Sequence, residues 1–281
     1  MKITEATIAS TELRMTESIA TGAGNVGDRS GVRIRLGTEG GEVGVGEAAP
    51  IPGVPSTTGL ERLAHDMKAW CDRAVGHDAE ELLASLDRHE LPPEARFAVH
   101  TGLSDLQSRA AGIPLHQWLR AGSTPLVRVN ALVTSAAPAD VHATVLRAVD
   151  AGMRAVKLKV GVLEPARDVT RIIAASEAAG PDVELRLDAN GSWTPEQAAH
   201  VVGRVGQHRV GYIEDPTADQ TEFASIAKST GVPVAVDADP VHASDLLGLV
   251  ERSGVSVLVL KSAAAGGIDR ILDVARSLGS S

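Results

Sequence analysis

The chain has 281 residues, a 43% apolar share, only 2% aromatics and a formal net charge of -9. That length accommodates one large domain or two smaller ones. The acidic balance argues against nucleic acid or an anionic membrane as the main partner, and no apolar run is long enough for a membrane span. A lone cysteine, Cys71, rules out an intrachain disulfide and fits a reducing cytoplasm. The first residues, MKITEATIAS, have no signal-peptide apolar run.

The first stretch alternates in the manner of strands at Lys2 to Leu13 and Val32 to Leu36. A Gly-rich polar loop, Thr21 to Gly31, separates the two. Gly40-Gly41 reads as a hairpin turn into EVGVGEA, so an antiparallel meander is expected. GVGEAAPIPG (44–53) reads as an ordered loop. Helical patterns follow over Thr58 to Val75 and over Pro93 to Ala111, the second stopped by Gly112. Residues 1–115 are therefore expected to form an α+β capping domain, with a (β/α) barrel domain over 116–281.

From Val127 onward the pattern is periodic. Val127 to Val133 reads as a strand, and Pro138 opens a helix with Val141, Val145 and Val149 on one face. A helix with Val169, Ile172 and Ile173 stops at Gly180. Thr194-Pro195-Glu196-Gln197 has the form of a capping box with proline at the first helical position. Later helices stop near Gly206, Gly231, Gly254 and Gly279. The repeat of about 25 residues is the length of a strand and its crossover helix. Six such units predict a wound parallel sheet, most simply a barrel, in an α/β class. An eight-stranded barrel needs two more units, so the barrel is expected to be C-terminally incomplete.

Five apolar segments end in a charged residue: RAVKLKVG, VELRLDAN, RVGYIEDP, VPVAVDADP and VSVLVLKS. The residues are Lys159, Asp188, Glu214, Asp237 and Lys261. Barrel chemistry gathers at the carboxyl ends of the strands. Three carboxylates on consecutive strands repel one another unless a cation holds them, and their hard oxygens select Mg²⁺ or Mn²⁺. The two lysines flank this trio, placed to move a proton next to a metal-bound carboxylate substrate. Lys157 shares the face of Lys159, and its like charge is expected to depress the Lys159 pKa. Taken singly, each of these residues is as well explained by a bland role. Asp188 could open an Asx turn, Glu214-Asp215 a turn before Pro216, and the lysines could cover surface. The order and period of all five favour the joint reading. The nine histidines share no metal-ligand spacing, Trp193 reads as packing, and Cys71 reads as an apolar filler.

The K-x-K at Lys157–Lys159 with VGVLEPARD (160–168), RLDANGSWTP (186–195), YIEDP (212–216) and GVGEAAPIPG together resemble the enolase superfamily, and most of all its o-succinylbenzoate synthases. The resemblance implies a syn-dehydration of 2-succinyl-6-hydroxy-2,4-cyclohexadiene-1-carboxylate in menaquinone biosynthesis. It implies Lys159 as the base and then the acid, and Lys261 stabilising the enediolate from across the ring. It further implies Asp188, Glu214 and Asp237 as Mg²⁺ ligands and Asn190, with Lys157, at the substrate. Thr21 to Arg29 falls where the family's lid loop lies. Asp237-Ala238-Asp239 departs from the family's Asp-Glu-Ser, with Asp239 the fallback ligand. Two readings stand beside this one. One is an N-acylamino acid racemase or dipeptide epimerase using the same lysines. The other is a non-catalytic homologue.

Overall fold

The computed structural model describes residues 1–15, 19–21, 24–50, 58–206, 210–238 and 243–279. They group into two compact units. The first holds Met1–Leu126, Asp239–Asp245 and Leu260–Ser281, and the second holds Val127–Ala238 and Leu246–Val259.

In the first unit, β1 (Ile3–Leu13), β4 (Arg29–Thr38) and β5 (Val43–Ala48) form the expected antiparallel meander, with Ile8 opposite Ile34 and Ile34 opposite Gly46. Between β1 and β4 the described residues include two short strands. β2 (Ile19–Thr21) and β3 (Gly24–Val26) pair there as a small hairpin. One face of the meander carries Val32, Ile34 and Leu36. It packs with Leu63, Met67 and Trp70 of α1 (Leu60–Ala74) and Leu103 and Leu106 of α3 (Pro93–Ala110). The glycines of VGVG are a packing device, because a Cβ on Gly46 would stand 1.9 Å from the Ala98 carbonyl oxygen of α3. In residues 76–120 two short helices went unread, α2 (Ala79–Ala84) and α4 (Leu115–Leu119). Neither is long enough to display a period.

The six expected parallel strands are present in one sheet, in sequence order. They are β6 (Ala131–Val133), β7 (Ala155–Lys159), β8 (Glu184–Asp188), β9 (Val210–Glu214), β10 (Val234–Ala238) and β11 (Val257–Leu260). β6 is shorter than the Val127 to Val133 expected from sequence. Val127 and Val129 lie before it and are solvent-exposed. The crossover helices are α5 (Pro138–Asp150), α6 (Pro165–Ala179), α7 (Pro195–Val205), α8 (Phe223–Thr230) and α9 (Ala243–Ser253). The Thr194/Gln197 capping box is formed at α7. Val141 and Val145 of α5 and Val169 and Ile172 of α6 are buried, whereas Ile173 faces outward at 39% exposure. The chain then re-enters the first unit with α10 (Ser262–Ala265) and α11 (Ile268–Ser277). Among the described residues no helix is long and apolar enough to cross a membrane.

Candidate active site

The two-residue period of a strand sends Lys157 and Lys159 to one face of β7 and buries Val156 and Leu158 on the other. Parallel register continues that face across the sheet. Lys157 stands opposite Arg186 and Arg186 opposite Tyr212; Lys159 stands opposite Asp188 and Asp188 opposite Glu214. The upper row therefore reads lysine, aspartate, glutamate, from three adjacent strand ends. The lower row reads lysine, arginine, tyrosine, with the Arg186 guanidinium 5.2 Å from the centre of the Tyr212 ring.

Asp188 and Glu214 are each only 1% exposed. Buried carboxylates need compensating partners, and the lysines supply them. Lys157 Nζ lies 2.7 Å from Asp188 Oδ2 and 2.6 Å from Glu214 Oε1. Lys159 Nζ lies 2.5 Å from the same Asp188 Oδ2 and 2.8 Å from Asn190 Oδ1. The two amines thus share an anion. This differs from the expectation that Lys157 would act on Lys159 as a bare like charge. Burial works against the Lys157 cation, yet Asp188 and Glu214 outweigh it and hold its pKa above the ordinary lysine range. Burial likewise works against ionised Asp188, but Lys157 and then Lys159 hold that carboxyl below its usual range.

Glu214 is the odd member. Burial, and then the neighbouring Asp188 charge, push its pKa up to about 7 despite Lys157. Its Oε2 is buried and has no hydrogen-bond partner. A buried acceptor without a donor marks a place where another group belongs.

The turn after β8 has two roles at once. Asp188 Oδ1 accepts from the Asn190 N–H at 3.1 Å, so the Asx turn exists alongside the lysine contacts made through Oδ2. Asn190 has φ 48° and Asp215 φ 40°, left-handed backbone that few non-glycine residues adopt. Asn190 lies two residues after buried Asp188, and Asp215 lies one after buried Glu214. Gly191 N–H donates to Asp215 O at 2.7 Å and links the two turns.

Asp237 is half-buried and lies two residues beyond Ala235, the register partner of Glu214. It adds to the negative field on Glu214, and its N–H donates to Asp215 Oδ1. Among the described residues, no three acid, histidine or cysteine side chains are arranged to hold a metal ion. The Asp188–Glu214 pair nevertheless has the donor chemistry of an Mg²⁺ site: two buried carboxylates on adjacent strands, one oxygen unpartnered. Lys261 directly follows β11 at the position before α10. Asp239 and residues 51–53 of GVGEAAPIPG lie outside the described residues, as do 22–23 of the expected lid loop.

Residues 3–119 match the family model of the mandelate racemase / muconate lactonizing enzyme N-terminal domain, and residues 140–278 match the enolase C-terminal domain-like model. An o-succinylbenzoate synthase of Thermosynechococcus vestitus is 30% identical over 91% of this chain and 74% of its own length. The chain belongs to the enolase superfamily. A hydrophobic dipeptide epimerase of Enterococcus faecalis is 25% identical over 98% of this chain and 78% of its own. The crystal structure of the dipeptide epimerase from that organism, complexed with Mg and L-Leu-L-Tyr, superposes with a TM-score of 0.89. That match covers 100% of this chain and 80% of the other at 24% identity. The fold is therefore that superfamily's (β/α) barrel type with an N-terminal α+β domain, here with six parallel strands described.

Other residues singled out from sequence are structural in their surroundings. Trp193 is 4% exposed, and Cys71 is fully buried with burial pushing its thiol up to about 11. Such a thiol is protonated and unreactive at neutral pH. Sequence reasoning missed the Arg186–Tyr212 contact, whose only signal was that both residues share the two-residue period with Asp188 and Glu214.

Proposed function

We propose that this protein is a Mg²⁺-dependent o-succinylbenzoate synthase, acting on 2-succinyl-6-hydroxy-2,4-cyclohexadiene-1-carboxylate in menaquinone biosynthesis. The observation that carries the reading is the Lys159 ammonium, seated on Asp188 and Asn190 beside two buried carboxylates at the strand ends. An amine so placed has a proton-transfer role when a substrate carboxylate enters the same space. Asp188, Glu214 and Asp237 would hold Mg²⁺ (or Mn²⁺), with Asp239 in reserve. When bound, the ion would supply positive charge to offset the negative charge that develops on the substrate carboxylate.

The chain's own residues then divide the work. Lys159 Nζ, in its neutral form, takes the α-proton. The electron pair left behind expels the ring hydroxyl, which receives the same proton from Lys159 and leaves as water. Removal and delivery on one face make the elimination syn. Lys261 offers a second cation to the anionic ring. Asn190 holds Lys159 or a substrate oxygen, and Lys157 neutralises the acids beneath.

The test is loss of the diene absorbance on adding the protein with and without Mg²⁺. Mg²⁺-dependent loss that disappears in Lys159→Ala supports the synthase. No loss with wild type and Mg²⁺ overturns it.

A second reading has a specific observation behind it. The Enterococcus faecalis dipeptide epimerase matches nearly the whole chain. An epimerase, or an N-acylamino acid racemase, would use Lys159 and Lys261 as two bases. Incubation with a dipeptide or an N-acylamino acid in deuterated water separates the readings. Deuterium entering the α-carbon of both epimers without diene loss favours this one.

A further inference from the structure

Against the backbone of Lys159 and Gly161 lies an ion pair that the chemistry above does not use. Asp168 and Arg171 stand on the first turns of α6, 0% and 3% exposed. Each arm of the guanidinium has a partner. Nη1 donates to Asp168 Oδ1 at 2.8 Å, Nη2 to the Lys159 carbonyl at 2.8 Å and Nε to the Ser135 carbonyl at 2.9 Å. The second Asp168 oxygen accepts from the Gly161 N–H at 2.7 Å. Two charges have thus been taken out of water, and their remaining hydrogen bonds go to the backbone at the ends of β6 and β7.

A buried ion pair is weak evidence for stability, since an apolar pair of similar volume often serves as well. What an apolar pair cannot do is hold a carbonyl and an N–H two residues apart. The Lys159–Gly161 segment is gripped from both sides. Val160 N–H donates to Asp188 O at 2.9 Å on the sheet side, and the Asp168–Arg171 pair holds the helix side. There is little slack in between. Gly161 has φ 83°, and a Cβ there would lie 2.8 Å from Ser192 Cβ and 3.0 Å from the Ala189 carbonyl oxygen. The acid-bearing turn 188–192 is packed directly against the clamped segment.

A lysine ammonium on a four-carbon stem has many rotamers. Its reach to Asp188 and Asn190 depends on where its own peptide unit is held. We infer that Asp168 and Arg171 are positioning residues for Lys159, fixing its peptide so that Nζ meets the reacting carbon. The inference rests on Lys159 being the proton carrier proposed above. A displacement of about 1 Å at such a group costs roughly 10²-fold in rate.

The experiment compares wild type with Arg171→Gln, Arg171→Lys and the double variant Asp168→Leu/Arg171→Met. The double variant leaves no unpaired charge in the interior and so keeps a folded protein available if Arg171→Gln unfolds. For each, kcat and KM for diene dehydration are measured, together with Mg²⁺ affinity by calorimetry and the Lys159 side-chain signal by NMR. The expected result is a kcat loss of roughly 10²-fold in the double variant and in Arg171→Gln. KM and Mg²⁺ affinity stay near wild type, and the Lys159 signal moves. Arg171→Lys restores part of the rate, because an ammonium can still bridge Asp168 and one carbonyl. A folded double variant with wild-type kcat and an unmoved Lys159 signal overturns the inference. So does a kcat loss matched by an equal loss of Mg²⁺ affinity, which would mean general damage to the site. If wild type itself fails to turn over the diene, the synthase reading falls alone, and the Lys159 signal still decides whether the pair positions that lysine.

Discussion

Two buried charge clusters invite comparison, one in each compact unit. In the first unit Arg96, 3% exposed, gives Nε to Asp87 at 2.9 Å, Nη1 to the Gly266 carbonyl at 2.7 Å and Nη2 to Asp269 at 2.8 Å. These bonds tie α3 to the turn between α10 and α11. Every arm of the guanidinium is used, and its acidic partners are driven further toward ionisation. Arg96 and His100 outweigh the burial of Asp269 and keep its carboxyl below the ordinary range. In the second unit the cluster of Lys157, Lys159, Asp188 and Glu214 is not closed. One Glu214 oxygen lacks a donor, and its carboxyl is pushed up to about 7. A cluster built only to hold two helices together ends with its charges matched. A cluster that retains an unmatched, half-ionised carboxylate has room for a further partner, and perturbed groups of this kind gather at functional sites.

The largest effect that would sharpen this contrast is on turnover. Lys159→Ala should lower the dehydration rate by roughly 10²–10⁴-fold, with Mg²⁺ binding and melting temperature near wild type. An Arg96→Met variant should do the reverse. It removes the centre of a matched network and should cost roughly 2–3 kcal/mol, read as a lower denaturation midpoint. The cost stays moderate because Asp269, with its side chain 36% exposed, is partly repaid by water. Added Mg²⁺ should not rescue it. Equal effects of the two variants on stability would erase the distinction.

Much of this arrangement was legible beforehand, for a physical reason. A parallel strand has a fixed two-residue period, and its helix returns at a fixed length, so residues at successive strand ends can be placed side by side from spacing alone. Lys159, Asp188 and Glu214 occupy one row for that reason. Stagger between strands is not written in the period. Asp237 consequently sits two residues beyond the row. Side-chain pairing was equally hidden. That Lys157 would bridge Asp188 and Glu214 depends on interatomic distances that no spacing encodes. VGVLEPARD was noticed as a motif, yet its Asp168 bonds a backbone N–H seven residues upstream, a link visible only once the turn into α6 is folded. The small hairpin of β2 and β3 escaped because a Gly-rich composition carries no alternation to read.

The smallest expected effect concerns pH, and it tests the open cluster by itself. Glu214 titrates near 7 in the folded protein, against an ordinary value of 4.5. A carboxyl with a raised folded pKa contributes stability in full below its unfolded pKa and loses it as pH rises through the folded value. Metal-free protein should therefore lose stability between about pH 4.5 and 7 from this group. Asp188, held low by the lysines against its burial, acts in the opposite sense and gives up its contribution only as pH falls below the usual aspartate range. In Glu214→Gln the neutral amide still accepts from Lys157 and carries no charge to bury. Its melting temperature should exceed that of metal-free wild type at pH 8, by the equivalent of roughly 2 kcal/mol, and the difference should close by about pH 5. Saturating Mg²⁺ should then raise wild type at pH 8 and leave Glu214→Gln largely unmoved, since only a carboxylate offers the ion a full negative charge. A Glu214→Gln curve parallel to wild type from acid to base would mean that this carboxyl is ionised throughout, and the contrast with the Arg96 network would be lost.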